Sequence, residues 1–193
     1  MIRCDWCEGN KLLTEYHDTE WGVPTHADDV LFEFLVLELM QAGLSWQTIL
    51  NKRENFSLAF DKFDCKKIAL YDENKIEELL NNEGIIRYRK KIESVINNAK
   101  MFIAIQKEYG SFDTYIWSFT DHKRIINHYD STKEVPAKTE LSHLISKDFK
   151  KRGFKFLGPV IVYSYLQAIG IIDDHIDSCF KRNNYKKKDE KLC

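Results

Sequence analysis

Apolar residues recur at intervals of three and four along most of the chain, and few segments alternate between apolar and polar positions. This is the period of α-helices, and capping residues, glycines and prolines divide it into separate segments. We expect Asp28 or Asp29 to cap the first long helix and Gly43 to follow its end. The predicted helices span residues 28–41, 46–52, 72–80, 86–109, 112–119, 140–152 and 159–170. The pattern predicts an all-α fold with a single domain over 1–180, a surface excursion at 120–139 and a flexible polar tail over 181–193.

The composition is typical of one compact domain. The chain has 193 residues, of which 44% are hydrophobic and 13% aromatic, so it can bury a core without disulfide bonds. It has five cysteines, an odd number, and it shows neither an N-terminal signal sequence nor an apolar run of the roughly 18 residues that span a membrane. We therefore expect a reduced, cytoplasmic protein without a membrane partner. The net charge of −1 does not decide whether the partner is a nucleic acid, because nucleic-acid footprints are local patches.

Two pairs of potential metal ligands lie at opposite ends of the chain. His175 and Cys179 are spaced i, i+4, so a helix would present both side chains on one face. Cys4 and His17 can complete a tetrahedral Cys₂His₂ site, which would join the two termini. Cys7 offers an alternative, because Cys4 and Cys7 form a C-x₂-C pair that could replace His17. Ordinary burial of cysteine and histidine in a core is the competing interpretation.

Glu38 interrupts the most apolar predicted helix. At 100° per residue it falls on the same stripe as Leu31, Phe34 and Leu35, so its carboxylate should point inward. Such a group must find donors, pair with a cation or stay protonated. With Trp46 downstream and aromatic residues upstream, it could instead form the floor of a pocket for a flat, hydrogen-bonding or cationic ligand such as a nucleobase.

The chain also contains a series of short sequence motifs. They are Arg3-Cys4, Trp6, Tyr16-His17-Asp18, Glu20-Trp21-Gly22, Glu38, Gln41-Ala42-Gly43-Leu44-Ser45-Trp46, Lys52-Arg53-Glu54 and Lys151-Arg152-Gly153-Phe154-Lys155-Phe156. In this order, and in register from Arg3 to Cys179, they resemble the DNA-3-methyladenine glycosylase I family. The resemblance implies the helical fold of the helix–hairpin–helix glycosylase superfamily, with a structural Zn²⁺ joining the termini. The implied zinc ligands are Cys4, His17, His175 and Cys179, and the implied base pocket consists of Tyr16, Glu38, Trp46 and Trp6.

The resemblance also has departures. Leu13 stands where some relatives carry a tyrosine at the pocket edge. The segment at 82–87, which corresponds to the hairpin, lacks the doubled glycine of the wider superfamily. An aspartate that assists bond cleavage in most of that superfamily has no counterpart in residues 101–107. Local physics still favours a hairpin, since Gly84 permits a sharp turn and a following helix start can hold a phosphate. The predicted DNA-binding residues are Gly43, Leu44, Gly84, Arg87, Lys90 and Lys91.

The expected function is that of a base-excision repair glycosylase. It would bind alkylated double-stranded DNA, flip the damaged nucleotide out of the helix and fill the gap with the Gly43-Leu44 turn. Glu38 is the expected catalytic carboxylate, which accepts hydrogen bonds from 3-methyladenine while water attacks the sugar. We expect a monofunctional hydrolase without lyase activity, free 3-methyladenine as product and no obligate protein partner.

Two other classes of function fit parts of the sequence. One is a zinc-stabilised protein that binds nucleobases or DNA without chemistry. The other is a metalloenzyme in which Cys4, His175 and Cys179 hold a catalytic zinc and Glu38 acts as a general base. A site with four protein ligands argues against the second class, because it leaves no open position for water.

Overall fold

The computed structural model describes residues 1–182, and within this range the protein is mostly helical. The helices are α1 (Lys11–Thr19), α2 (Asp28–Gln41), α3 (Trp46–Ala59), α4 (Cys65–Ile68), α5 (Glu73–Asn81), α6 (Arg89–Tyr109), α7 (Phe112–Ser118), α8 (Glu140–Lys151) and α9 (Pro159–Ala168). Short 3₁₀ turns occur at Asp5–Cys7, Asp61–Phe63 and Thr132–Glu134. None of the helices in 1–182 is long and apolar enough to cross a membrane.

Two short strands depart from the all-α expectation. β1 (Ile125–Ile126) and β2 (Ile172–Asp173) pair in parallel, with Ile125 opposite Ile172. Each strand has two residues, which is too short to produce a detectable alternation of apolar and polar positions. The pair ties the excursion after α7 to the segment after α9.

Most helix starts follow the side chains that cap them. Ser45, Asp72 and Ser111 each accept a hydrogen bond from a backbone N–H in the first turn of α3, α5 and α7. The predicted capping of α2 by Asp28 or Asp29 is wrong, because the N-cap is Ala27 and both aspartates lie in the first turn of the helix. The Asp28 carboxylate instead accepts from the backbone N–H groups of Phe112 and Asp113 at 2.9 Å, so it caps α7.

α2 is the central helix of the core. Its residues from Leu31 to Met40 are buried, except for Glu33, and it packs against α3, α6, α7 and α9. Stacked aromatic rings extend this core, with the Phe102 and Phe112 centroids 4.1 Å apart. Burial on all sides explains why the α2 sequence is apolar nearly all round.

Lys181 and Arg182 attach the C-terminal segment to the rest of the fold. Lys181 Nζ donates to the Asp18 carbonyl at 2.9 Å, and the Arg182 residue is 3% exposed and donates to the Asn127 carbonyl. The first two residues of the predicted tail are therefore held by the fold. The remainder of that tail, residues 183–193, lies outside the described residues.

Candidate functional site

A cavity of about 380 Å³ opens beside the C-terminal half of α2. One part of its wall is aromatic and the other part is polar. The lining residues are Trp6, Tyr16, Trp21, Glu38, Gln41, Trp46, Thr132, Val135, Ser164, Gln167 and Asp174. The four residues that the sequence assigns to a base pocket, Trp6, Tyr16, Glu38 and Trp46, thus meet at one cavity.

Glu38 is a buried carboxyl group that faces this cavity. The residue is 3% exposed, and its Oε2 atom has no hydrogen-bond partner in the described part of the chain. Burial raises the pKa of Glu38 to about 8, because a low-dielectric environment disfavours the charged form. An unpartnered carboxyl group in a core is costly unless a ligand supplies the missing contacts.

Aromatic rings surround the carboxyl group. The centroids of Tyr16 and Trp46 are 5.2 Å apart, and those of Trp6 and Trp21 are 5.1 Å apart. Burial raises the pKa of Tyr16 well above its usual value, so its phenol stays neutral. The indole Nε1 of Trp46 is buried and has no acceptor within residues 1–182. The cavity therefore presents flat apolar faces together with one unused acceptor and one unused donor.

Asp174, which was not among the residues predicted for the site, lies in the wall of the cavity and is 1% exposed. Its carboxylate accepts from Tyr163 Oη and Gln167 Nε2, each at 2.5 Å, and from Asn127 Nδ2 at 2.7 Å. The resemblance to the wider superfamily directed the search for an aspartate to residues 101–107, and Asp174 lies outside that range. The available signal was a pair of aspartates directly after the apolar run at 169–172.

Residues from both ends of the chain form a second cluster. One ligand atom from each of Cys4, His17 and Cys179 lies within 4.8 Å of the others, and all three residues are buried. His17 Nε2 is 3.5 Å from Cys179 Sγ. A hydrogen bond from the Cys4 side chain, followed by one from His17, lowers the pKa of Cys179 and favours a thiolate. This cluster could hold a metal ion.

His175 borders the cluster and has a free ligand atom. Its Nδ1 lies 2.7 Å from Asp173 Oδ1, while its buried Nε2 has no partner among the described residues. His17 has the same arrangement, with Nδ1 2.8 Å from Asp18 Oδ1. Carboxylates that orient the far nitrogen of histidine are typical of metal sites. Cys7 differs, because its Sγ donates to the Cys4 carbonyl at 3.1 Å and lies outside the cluster.

The cluster and the cavity share a wall. The Trp6 ring lies 5.5 Å from the His17 ring, and the Trp21 ring lies 4.5 Å from the His175 ring, centroid to centroid. The potential metal ligands therefore support the cavity aromatics from behind.

Two turns are predicted to contact DNA, the one between α2 and α3 and the one between α5 and α6. In the turn between α2 and α3, Gly43 has φ +79°, a conformation that glycine adopts without strain, and Leu44 is 41% exposed. Between α5 and α6, Lys52 Nζ donates to the carbonyls of Glu83 and Gly84 at 3.0 and 3.3 Å. A β-carbon at Gly84 would lie 3.1 Å from Asn55 side-chain atoms, so this turn packs closely on α3.

Arg87 and Lys90 are exposed at the start of α6, but Lys91 is not. The predicted contact between Lys91 and DNA is wrong, because the residue is 5% exposed and its Nζ donates to the carbonyls of Met40 and Ala42 at 2.8 and 2.7 Å. The sequence places all three cations in one cluster. The helical period separates them, since residues one position apart lie about 100° apart around a helix.

A further turn, which the sequence analysis did not connect with DNA, joins α8 to α9. The buried Asn98 side chain holds it by accepting from Lys155 N at 2.8 Å and donating to Lys155 O at 2.9 Å. Phe156 is 41% exposed, and its ring lies 6.5 Å from that of Tyr88, which immediately precedes α6. Neither α6 nor α9 has a side-chain cap at its N-terminus.

The sequence model of the methyladenine glycosylase family matches residues 6–182. The chain belongs to this family. It is 44% identical over 177 residues to a DNA-3-methyladenine glycosylase of Haemophilus influenzae, an alignment that covers 92% of this chain and 96% of that protein. It is 42% identical over 179 residues to DNA-3-methyladenine glycosylase 1 of Escherichia coli, which covers 93% and 96%.

Solved structures of the family have the same fold. The crystal structure of one 3-methyladenine DNA glycosylase I superposes with a TM-score of 0.90. Its sequence is 46% identical to this chain, and the match covers 93% of this chain and 98% of that chain. A tyrosine-to-phenylalanine variant of a second such enzyme, in complex with 3-methyladenine, is 36% identical, with a TM-score of 0.91 over 94% of this chain and 98% of that chain.

Leu13, the departure from some relatives, is half-buried and does not line the cavity of this family member. The aromatic wall is instead formed by the four rings of Trp6, Tyr16, Trp21 and Trp46.

Proposed function

We propose that this protein hydrolyses the N-glycosidic bond of 3-methyladenine in alkylated double-stranded DNA. The observation that carries the proposal is the unpartnered, buried carboxyl group of Glu38 in a cavity walled by aromatic rings. Membership of the methyladenine glycosylase family supports it. The alignments with the DNA-3-methyladenine glycosylases of H. influenzae and E. coli cover more than nine tenths of this chain, so they support the proposal over nearly all of it.

The cavity suits a methylated adenine that carries positive charge. Its aromatic faces can stack on the base, and Glu38 can accept hydrogen bonds from the amino edge. A cationic base next to Glu38 favours the ionised carboxylate and offsets the effect of burial on its pKa. Trp46 Nε1 supplies a donor for a ring nitrogen or a bridging water.

Bond cleavage requires little acid catalysis. A base methylated at N3 is already cationic, so both electrons of the bond to C1′ move onto the base and it leaves as neutral 3-methyladenine. Water adds to C1′ and releases one proton. In this scheme Glu38 orients the base and stabilises its charge as the bond weakens.

A monofunctional reaction is the form that we propose. No lysine is among the described residues that line the cavity, so a Schiff base with the sugar has no nucleophile there. The product would be free base and an abasic strand that remains intact.

We propose that DNA lies across the turns between α2 and α3 and between α5 and α6. Leu44 would enter the duplex and occupy the space of the flipped base, with Gly43 allowing the sharp turn. Phosphates would contact the uncapped start of α6 at the Gly84 turn, together with Arg87 and Lys90. This arrangement makes the α5–α6 turn a helix–hairpin–helix element. The exposed Tyr88 and Phe156 rings extend the same surface to the turn between α8 and α9.

The metal of the second cluster would be one Zn²⁺ held by Cys4, His17, His175 and Cys179. The free Nε2 of His175 and the carboxylates behind both histidines support this assignment. Four protein ligands suit a structural ion. It would fix both termini behind Trp6 and Trp21.

The test is chromatography of bases released from alkylated duplex DNA. We expect free 3-methyladenine to appear with the wild-type protein, and strand breaks only after alkali treatment. A protein that binds the DNA but releases no base would be a binding module, and strand breaks without alkali would contradict the monofunctional reaction.

A further inference from the structure

Lys91 carries a buried ammonium group that no carboxylate neutralises in the described part of the chain. Its two acceptors are the backbone carbonyls of Met40 and Ala42, at 2.8 and 2.7 Å. Burial lowers its pKa, and no nearby acidic group opposes that shift. Enclosing a charge of this kind costs free energy, which the two charge-assisted hydrogen bonds offset in part.

The two carbonyls lie on either side of Gln41, where α2 ends. The backbone leaves the helix at Ala42, turns at Gly43 and presents Leu44 with 41% of its surface exposed. Within residues 1–182, the other hydrogen bonds of this turn are short-range backbone ones. They run from Ala42 N to Leu39 O and from Leu44 N to Gln41 O. Among the hydrogen bonds of residues 1–182, those from Lys91 are therefore the long-range ones that hold the carbonyl side of the turn.

The turn connects two groups of the cavity. Glu38 and Gln41 line the cavity from the end of α2, before the turn. Trp46 lines it from the other side of the turn, as the first residue of α3. Lys91 lies in the first turn of α6, directly after the exposed Lys90 and four residues after the exposed Arg87. One side chain thus joins the proposed phosphate-binding helix start to the turn that carries Leu44.

We propose that Lys91 is a positioning residue for base extrusion, which holds the Gly43–Leu44 turn in the shape that fills the space left by the flipped base. The inference rests on the proposed function. The ammonium acts through the backbone carbonyls and contacts neither the base nor DNA. A positively charged end of a side chain also complements the negative C-terminal end of the α2 dipole.

The experiment compares Lys91→Met with Lys100→Met. Both variants replace a lysine of α6 by an uncharged side chain of similar length, but Lys100 is exposed and lies outside the site. Three quantities are measured: the affinity for free 3-methyladenine by tryptophan fluorescence, the single-turnover excision rate from a duplex, and that rate when the lesion lies opposite an abasic site. The last substrate needs less energy for extrusion, because one pairing partner is absent.

We expect Lys91→Met to bind free 3-methyladenine like the wild type and to excise it from the normal duplex roughly 10- to 100-fold more slowly. The loss should shrink opposite an abasic site, and Lys100→Met should match the wild type. Lys91→Arg, which keeps donors and charge, should recover part of the rate. An unchanged duplex rate, or an equal loss of free-base affinity, would overturn the inference.

Should Lys91→Met fail to fold, Lys91→Gln retains a polar end that can donate to one of the two carbonyls. Lys91→Gln should then bind free 3-methyladenine like the wild type and excise it from the duplex more slowly. Excision from the duplex at the wild-type rate would overturn the inference. Absence of excision by the wild-type protein would instead contradict the proposed function.

Discussion

Glu38 combines a structural cost with a chemical use. Its raised pKa of about 8 means that the folded protein holds a proton on this group that the unfolded chain releases near pH 4.3, the approximate value of an unperturbed glutamate. Between these two values the native state binds more protons than the unfolded state. The stability of the protein therefore falls as pH rises through this window, by on the order of 1 kcal/mol per pH unit from this one group.

Glu38→Gln should remove this cost and the catalytic contact together. We expect its thermal midpoint to exceed that of the wild type by more at pH 8 than at pH 5, because the variant has no charge to bury. Excision of 3-methyladenine should fall roughly 10- to 100-fold, since one charged acceptor becomes a neutral amide. Thermal unfolding at both pH values and single-turnover excision at pH 7.5 measure the two effects.

The matched control is Glu54→Gln, the same change at an exposed position of α3. It should alter neither quantity. A Glu38→Gln protein that is less stable at pH 8 and still excises at the wild-type rate would make Glu38 a structural residue.

The two buried ionisable residues differ in how far the sequence predicts them. Glu38 could be placed correctly because the helical period alone puts it on the stripe of Leu31, Phe34 and Leu35. Lys91 could not, since the nearby cations Arg87 and Lys90 are exposed and its acceptors lie about fifty positions earlier in the chain. Its environment is decided by how α6 packs on α2, which no local pattern contains.

At the scale of elements, the turns determine what the helices can bind. The sequence located most helix starts, because Ser45, Asp72 and Ser111 are visible caps. It placed the start of α6 near residue 86, whereas the helix begins at Arg89 after an extended Tyr88 that provides no side-chain cap. The missing cap leaves N–H groups at the helix start available to an anion.

Replacing Arg87 and Lys90 together by glutamine should weaken DNA binding and reduce its salt dependence. Each lost phosphate contact lowers the slope of log K against log salt by roughly 0.9, so we expect a change of about 2. Binding to a lesion-containing duplex is measured at several salt concentrations. The control pair, Lys100→Gln with Lys107→Gln, lies further along the same helix at exposed positions. A slope equal to that of the wild type would remove the start of α6 from the DNA interface.

At the scale of the whole molecule, the two ends of the chain meet behind the cavity. The cluster of Cys4, His17 and Cys179 brings the first and last segments together, and it could hold a metal ion. The helical i, i+4 arrangement predicted for His175 and Cys179 is wrong, because residues 174–178 are not helical and His175 lies beside the cluster. Spacing alone could not choose between His17 and Cys7, because both follow Cys4 at distances that suit a ligand. Folding separates them, since α1 turns His17 toward Cys179 while Cys7 bonds to the Cys4 backbone.

Loss of one ligand should therefore affect the metal, the stability and the cavity together. Purified wild-type protein should contain one zinc ion per chain, and Cys179→Ala should lose it and unfold at a lower temperature, because metal binding free energy contributes to folding. Cys65→Ala, which changes a half-buried cysteine outside the cluster, is the control. Elemental analysis and thermal unfolding give the first two quantities, and quenching of tryptophan fluorescence by added 3-methyladenine reports the cavity, which three of the four tryptophans line. If Cys7→Ala loses the metal while His17→Ala retains it, Cys7 replaces His17 in the ligand set, and the packing of Trp6 on His17 would no longer connect the metal to the cavity.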